Sequence, residues 1–265
     1  MNAFDGLSVV NVELTSRCNK KCWMCGRRKL EKNHPELCHW GDMQFFTAKL
    51  IASQLPSGII VQFHNNGEPL LYDKLGQILS LFQRQIRCFN TNGILLLEKA
   101  DSIIGLMEVL TISVIERERK KDNQYETVKK FIKIKGDRPP RIVYRLLGEV
   151  SDPERWYDLP GTVVTRVLHH PMGSFQYTKK VTIPEHGICL DLLSHLLIDR
   201  FGDVYPCVRF NPHKKNMLGN VMNQHLSTMW DGEKRKWMIK LHIKGMRDKV
   251  DLCKKCDFYG CPISY

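Results

Sequence analysis

The chain has no apolar run near the roughly 18 uncharged residues that a spanning helix needs. Its start, MNAFDGLSVV, has neither the basic head nor the long apolar stretch of a signal peptide. These absences predict a cytoplasmic protein with no membrane attachment. Internal repeats and low-complexity segments are missing too, which excludes solenoid and fibrous architectures. Acidic side chains are scarce beside basic ones, 28 Asp and Glu against 40 Lys and Arg, leaving a formal net charge of +12. That surplus predicts attraction to nucleic acid, to an anionic substrate or to an acidic electron carrier, without choosing among them.

Apolar residues and cysteines, by contrast, are plentiful. At 265 residues and 43% apolar content the chain can bury a substantial core. Ten cysteines would mean disulfides in a small secreted domain. Here the chain is larger, lacks an export signal and groups its cysteines at close spacings near both ends, so metal ligation is expected.

Up to about residue 168, strand-like runs (SVVNVEL, GIIVQFH, IRCFNTN, MEVLTISV, RIVYRLL, TVVTRVL) alternate with helical patterns at Phe45 to Gln54, Tyr72 to Gln85, Leu95 to Ile104 and Asp122 to Lys133. Six strands with crossover helices predict an α/β fold, a parallel sheet or partial barrel, with its site at the carboxyl ends of the strands. Past residue 170 the pattern changes to loops rich in His, Pro and Gly, then a hairpin, LLSHLLIDRFGDVYPCV, turning near Phe201 to Asp203. A helical stretch with Trp230 and Trp237 and a cysteine-rich tail follow. The expected division is a core over 1–170 and a small module over 171–265.

The segment TSRCNKKCWMCGRR puts Cys18, Cys22 and Cys25 at C-x3-C-x2-C spacing in the loop after the first strand. Thiolates are soft ligands for zinc or iron-sulfur clusters, and three of them leave one metal position for an exogenous ligand. A second set, Cys189, Cys207, Cys253 and Cys256, has the four thiolates of a closed site, with its first pair bracketing the hairpin. Zinc remains an alternative for both sets. A basic zinc protein that binds nucleic acid is the non-enzymatic alternative, although no RRM, KH or zinc-finger pattern is present. Cys38 and Cys88 have no partner at ligand spacing.

These motifs resemble the radical S-adenosylmethionine (SAM) superfamily, in which the amino and carboxylate groups of SAM chelate the open iron of a [4Fe-4S] cluster. The resemblance implies a partial (β/α)6 TIM-like barrel and a cluster on Cys18, Cys22 and Cys25. Met24 stands where the family usually has an aromatic residue. HNNGEPLL places Asn66, Gly67 and Glu68 where the family has its Gly-Gly-Glu element, which positions the SAM amino group. Asn90 and Asn92 in FNTNG, and Ser113 in TISV, are similar to positions around the ribose and methionine of SAM. Arg145 and Arg166, on late strands, are candidates for pairing with the SAM carboxylate or a substrate oxygen; an ordinary surface role is the alternative.

The hairpin with Gly202 five residues before Cys207, and the tail LCKKC, resemble a reduced SPASM module, the twitch domain, holding one auxiliary [4Fe-4S] cluster. The implied cofactors are two [4Fe-4S] clusters and SAM. One electron from an acidic carrier such as flavodoxin or ferredoxin would cleave SAM to a 5′-deoxyadenosyl radical, which takes hydrogen from a small polar substrate such as an aminocyclitol or sugar derivative. A peptide substrate is the alternative. The auxiliary cluster would accept an electron in a net oxidation, or a thiol such as Cys261 would return hydrogen in an epimerisation; Cys261 otherwise reads as an alternative ligand or a buried thiol. Candidate bases are His64, Glu116, His169 and His170. Fold and cofactor do not fix the substrate.

Overall fold

The computed structural model describes residues 3–116, 123–166, 189–208, 211–254 and 256. The six expected strands are present as β1 (Val9–Val12), β2 (Ile60–Gln62), β3 (Ile86–Thr91), β4 (Val109–Val114), β5 (Arg141–Leu147) and β6 (Thr162–Arg166), each parallel to its neighbour in sequence order. Crossovers carry α1 (Gly26–Asn33), α2 (Phe45–Gln54), α3 (Leu75–Leu81), α4 (Gln124–Lys135) and the single turn α5 (Glu154–Tyr157). The helix expected over Leu95 to Ile104 is instead a string of turns with one 3-10 turn at Ala100–Ser102. Its apolar spacing is helical, and Leu96, Ala100 and Ile103 are indeed buried. The segment is stopped at both ends by glycines in the left-handed region, Gly93 at φ +81 and Gly105 at φ +80, and the Gly105 amide donates to Pro139 O (2.9 Å).

The hairpin turns where the sequence places it. β7 (His195–Ile198) and β8 (Asp203–Tyr205) are antiparallel around Gly202 at φ +85, and β9 (Gly219–Asn220) follows. β7 also pairs in parallel with β1, from Val9 opposite His195 to Val12 opposite Ile198. The order is therefore β6-β5-β4-β3-β2-β1-β7-β8-β9, one open nine-stranded sheet with β1 near its middle. β7, β8 and β9 prolong the sheet across the edge of β1 that β2 leaves unpaired. α6 (Leu190–Ser194), α7 (Leu226–Trp230) and α8 (Glu233–Ile243) flank this extension. The buried Arg235 guanidinium of α8 donates to Leu192 O, Leu193 O and Trp230 O and lies 3.3 Å over the Trp230 ring, joining the three helices.

The two sheet faces differ in chemistry. Val10, Val12, Val61, Phe89, Leu110, Ile112, Ile142 and Tyr144 point under the helices and form a continuous core. Alternate residues point the other way, into the concave lumen: Asn11, Gln62, Cys88, Asn90, Thr111, Ser113 and Arg145. The register sets Asn90, Thr111 and Val143 in one row and Ser113, Arg145 and Val164 in the next towards the carboxyl ends. A concave polar face opposite an apolar one is where a parallel sheet of this kind holds ligands. Among the described residues no helix is long and apolar enough to cross a membrane.

Candidate active site

The cysteine loop leaves β1 and ends as the N-terminal turn of α1, whose first turn begins at Cys25; the Cys25 amide donates to Cys22 O (3.1 Å) and Arg28 N to Cys25 O (2.9 Å). Two buried cations support it. Arg27 donates from Nη1 to Ser16 O (2.8 Å) and Asn66 O (3.4 Å) and lies over the Trp40 ring, while the Lys20 ammonium reaches Ile115 O (3.5 Å). All three cysteines are half-buried and free of disulfides. Burial pushes the Cys18 thiol up, opposed by its hydrogen bond from the Lys20 amide and by the Arg27 charge. Among the described residues no three His, Cys, Asp or Glu side chains gather around a single ion position. A cubane takes one thiolate per iron, so its ligands do not share one centre. Three accessible thiols on one loop, with positive charge buried beside them, fit such a cluster.

The Asn66-Gly67-Glu68 element braces this loop. A Cβ on Gly67 would lie 2.0 Å from Thr15 O and 2.8 Å from Arg17 O, so glycine here admits the backbone of the cysteine loop. The Glu68 amide donates to Arg17 O (2.8 Å). Its buried carboxylate accepts from the Thr91 hydroxyl (2.7 Å), the Asn92 amide (2.8 Å) and the Leu70 amide (3.2 Å), which ties it to the loop after β3. Burial pushes that carboxyl up while these three hydrogen bonds pull it down. Asn92 is committed likewise: Nδ2 donates to Asn19 Oδ1 (2.8 Å) and Oδ1 accepts from Ile94 N. Asn66 donates from its amide and Nδ2 to Glu13 Oε1, at 3.2 and 3.0 Å. The loops after β1, β2 and β3 thus form one hydrogen-bonded unit.

A cavity of about 510 Å³ opens beside it. Met24, Cys25 and Asn66 line it from the first two loops, Arg166 from the end of β6, and Asp199, Arg200, Tyr205, Val208 and Lys214 from the hairpin side. Of the adjacent Trp23 and Met24, Trp23 is exposed and Met24 is the buried one that lines the cavity. The volume suits a small-molecule or cofactor site. Glu13 and Asp199 escaped the sequence reading because each resembles an ordinary residue of its element, a strand position and a turn-forming aspartate.

Asp199 Oδ1 accepts from Phe201 N (2.9 Å) and Asp203 N (3.0 Å), closing the turn, while Oδ2 faces the Tyr205 hydroxyl (3.3 Å) and the Lys214 ammonium (3.8 Å). Lys214 also pairs with Asp203. Burial first, then Asp203 and Glu13, push the Asp199 carboxyl up from 3.8 to about 6 against the pull of Lys214 and the Asp203 amide. The folded state therefore takes up a proton as pH falls through 6, and ionisation costs stability as pH rises from about 4 to above 6. Asp199→Asn keeps the turn acceptor and removes the charge. It should raise the melting temperature at pH 8, by an increment bounded at about 3 kcal/mol, and leave it unchanged below pH 4. Thermal unfolding of both proteins across pH 4–8 checks this.

Two base candidates are otherwise engaged. Glu116 accepts from the Ser151 amide and hydroxyl and pairs with Arg155 (3.0 Å), holding the loops after β4 and β5 together. His64 is held neutral, pulled down to about 3 by burial and by Arg145 and Arg166, which makes it a poor proton acceptor. His169, His170 and Cys261 lie outside the described residues. Ser113 sits in the row of Arg145, its carbonyl accepting from Gln124 Nε2 (2.8 Å). Arg145 lies in the lumen, near Cys88, Arg166 and His64.

In the second set, Cys189 and Cys253 pack on Leu192, Met238 and Val250. Burial pushes the Cys253 thiol to about 12, and the neighbouring Cys189 and Cys256 add to the shift, so these three lie close enough to act on one another. Cys207 follows β8 and precedes Val208 of the cavity wall. Arg247 Nη1 donates to Cys253 O (3.2 Å) and Cys256 O (2.7 Å), pinning the tail turn. This donor set suits a cluster with four cysteine ligands.

The sheet, with one cysteine set on its first loop and another on its hairpin extension, resembles that of radical SAM enzymes carrying a SPASM-type domain. Residues 189–257 match the SPASM iron-sulfur cluster-binding domain. The chain is 26% identical over 258 residues to the S-adenosyl-L-methionine-dependent 2-deoxy-scyllo-inosamine dehydrogenase of Niallia circulans, covering 94% of this chain and 92% of that relative. Among solved structures it is similar to BtrN in complex with AdoMet and 2-DOIA, with a TM-score of 0.65, 24% identity, and 95% and 93% of the two chains covered. It is also similar to Streptococcus suis SuiB bound to its precursor peptide SuiA, with a TM-score of 0.59, 13% identity, and 98% and 76% covered. At these identities the structural matches carry the fold. Similarity to an enzyme along nearly the whole chain sets aside the basic zinc module.

Proposed function

We propose that this radical SAM enzyme oxidises a carbon bearing a hydroxyl or amino group on a small polar substrate, using two [4Fe-4S] clusters, one on Cys18, Cys22 and Cys25 and one on Cys189, Cys207, Cys253 and Cys256. The observation that carries the reading is the cavity between the two sets, walled by Cys25 on one side and by Val208, next to Cys207, on the other. When bound, the first cluster with SAM supplies the hydrogen-abstracting 5′-deoxyadenosyl radical and the second an electron acceptor.

The protein's own part is to bind, orient and exclude water. Met24 offers a polarisable surface for an adenine, and Arg166 a guanidinium for a carboxylate. Asn66, fixed by Glu13, holds the cavity wall. The hairpin closes the side facing the second cysteine set. An acidic one-electron carrier of the cytoplasm, flavodoxin or ferredoxin, is the proposed partner; exposed Lys21, Trp23 and Lys32 beside the first loop offer it a basic docking face.

The test is made on anaerobically reconstituted full-length protein. About eight irons and eight sulfides per chain are expected, with 5′-deoxyadenosine formed from SAM under dithionite. A Cys18→Ala, Cys22→Ala, Cys25→Ala variant should keep about four irons and form no 5′-deoxyadenosine. Stoichiometric zinc, or intact clusters without SAM cleavage, overturns the reading.

A further inference from the structure

α8 lies with one face on the second cysteine set and the other in solvent. Its inner face carries the buried Arg235, Met238 and His242. Met238 clusters with Leu192 and Val250, against which Cys189 and Cys253 pack, and the Cys189 amide donates to His242 Nδ1 (3.4 Å). The outer face follows from the helical period: Lys236, Trp237, Lys240, Ile243 and Lys244 recur every three or four residues, and all are exposed. The two faces are one helix thickness apart, about 10 Å.

The outer face is basic and apolar together. Lys236 is paired with Glu233 (3.3 Å), whereas Lys240 and Lys244 form no ion pair among the described residues. Lysines alone would make an ordinary solvated face, and they suit the carbonyl end of a helix. The side chains set among them do not fit that account, since Trp237 is 47% and Ile243 55% exposed. A tryptophan flanked by lysines on a rigid helix has the composition of a docking patch: an aromatic anchor that sheds water on contact, and charges that select an acidic partner.

The chemistry behind the helix says what that partner does. In the proposed reaction SAM cleavage takes one electron from a carrier, and the substrate gives up a hydrogen atom, one electron and the proton of its hydroxyl or amino group. The next turnover waits until that electron leaves the second cysteine set. We infer that the outer face of α8, centred on Trp237 with Lys240 and Lys244, docks an acidic one-electron carrier in its oxidised form, which draws the electron out through the helix. For a flavin carrier, one electron and one proton are gained for the one electron lost by the reduced cluster, so that one electron enters and one leaves per turnover, with SAM the net oxidant. The inference rests on the two-cluster oxidation proposed above and gives the chain an electron exit separate from the entry face at Lys21, Trp23 and Lys32.

The experiment uses reconstituted full-length protein with Cys18→Ala, Cys22→Ala and Cys25→Ala, so that only the second set holds iron. Reduced with dithionite, freed of excess reductant and mixed with an oxidised bacterial flavodoxin, it should be reoxidised at a rate that falls with added salt, read from the visible spectra of cluster and flavin. Lys240→Glu combined with Lys244→Glu should slow that rate about tenfold or more at low salt, and Trp237→Ala should slow it at every salt concentration. The same charge change at exposed positions of α4, Lys130→Glu with Lys133→Glu, should alter it by less than about twofold. Hydrogen exchange over residues 233–246 should slow when oxidised flavodoxin is added, and should not in the Lys240→Glu, Lys244→Glu protein. In the protein with all its cysteines, 5′-deoxyadenosine formed under dithionite needs no docking, so the α8 substitutions should leave it unchanged and thereby report an intact fold. A rate indifferent to the α8 charges, an equal slowing by the α4 pair, or no protection of 233–246 overturns the inference. So does a Trp237→Ala protein that passes from dimer to monomer, which gives the face to a second copy of the chain. A triple variant without iron would count against the two-cluster reading instead, and hydrogen exchange on the protein with all its cysteines would still decide the docking face.

Discussion

Gly67→Ala is expected to remove the first cluster almost as completely as deleting its ligands: iron should fall from about eight to about four per chain, and 5′-deoxyadenosine should drop below detection. The added Cβ would sit 2.0 Å from Thr15 O, 2.7 Å from Thr15 C and 2.8 Å from Arg17 O. All three are backbone atoms at the start of the cysteine loop, with no flexible end to swing aside. Relief requires the two loops to part, which breaks the Glu68 amide bond to Arg17 O and moves Cys18, the next residue. Gly58→Ala is the control. Gly58 has a positive φ, +80, which Gly67 lacks, but nothing lies within 4 Å of its added Cβ, so only backbone strain remains and iron should stay near its full value. Iron and sulfide analysis, the spectrum of the reduced clusters and thermal unfolding of both variants make the comparison. A Gly67→Ala protein with full iron and SAM cleavage would show that the two loops do not depend on this contact.

What the sequence shows about this protein follows from how far apart its interacting residues lie. Strand patterns and C-x3-C-x2-C spacing are local, and all six core strands stand where alternation of apolar residues placed them. α2 is found over the residues expected, whereas α3 is cut back to Leu75–Leu81, following a 3-10 turn at Pro69–Leu71 that ends at the extended Tyr72. The turns at Leu95 to Ile104 keep a helical apolar spacing under the constraint of two glycines with positive φ. Pairings across long stretches of chain were not legible. Nothing in SVVNVEL announces that its second edge is filled by His195–Ile198, and nothing in NNGEP says that Gly67 meets Thr15 and that Glu68 binds Thr91 and Asn92. The motif residues were therefore found, while the roles of Gly67, Glu68 and Asn92 as braces of the cysteine loop needed the fold. The contacts of Asn11 and Asn90 with His64 were hidden for the same reason: the three residues come from three strands or strand ends, and only their common face unites them.

Cys253→Ala combined with Cys256→Ala should separate the two halves of the reaction. Iron should again fall to about four per chain, yet 5′-deoxyadenosine should still form, while oxidised product is lost. The reason is spatial. The tail turn depends on Arg247 holding Cys253 O and Cys256 O and on packing against Leu192, Met238 and Val250, a small cluster distinct from the main core. The braces of the first loop, Gly67, Glu68, Arg27 and Asn92, come from the segments around β1, β2 and β3 and share none of those contacts. Removing two ligands from the tail therefore leaves the first site intact. It also removes the Cys253 thiol, which burial and the neighbouring Cys189 and Cys256 push up, so that it stays protonated until metal displaces the proton. The readout is the ratio of 5′-deoxyadenosine to oxidised substrate, together with the iron count. Loss of SAM cleavage along with the iron would make the second set a staple for the whole fold. Undiminished product would mean that the electron leaves the substrate by another route, and the proposed role of the second cluster would fall.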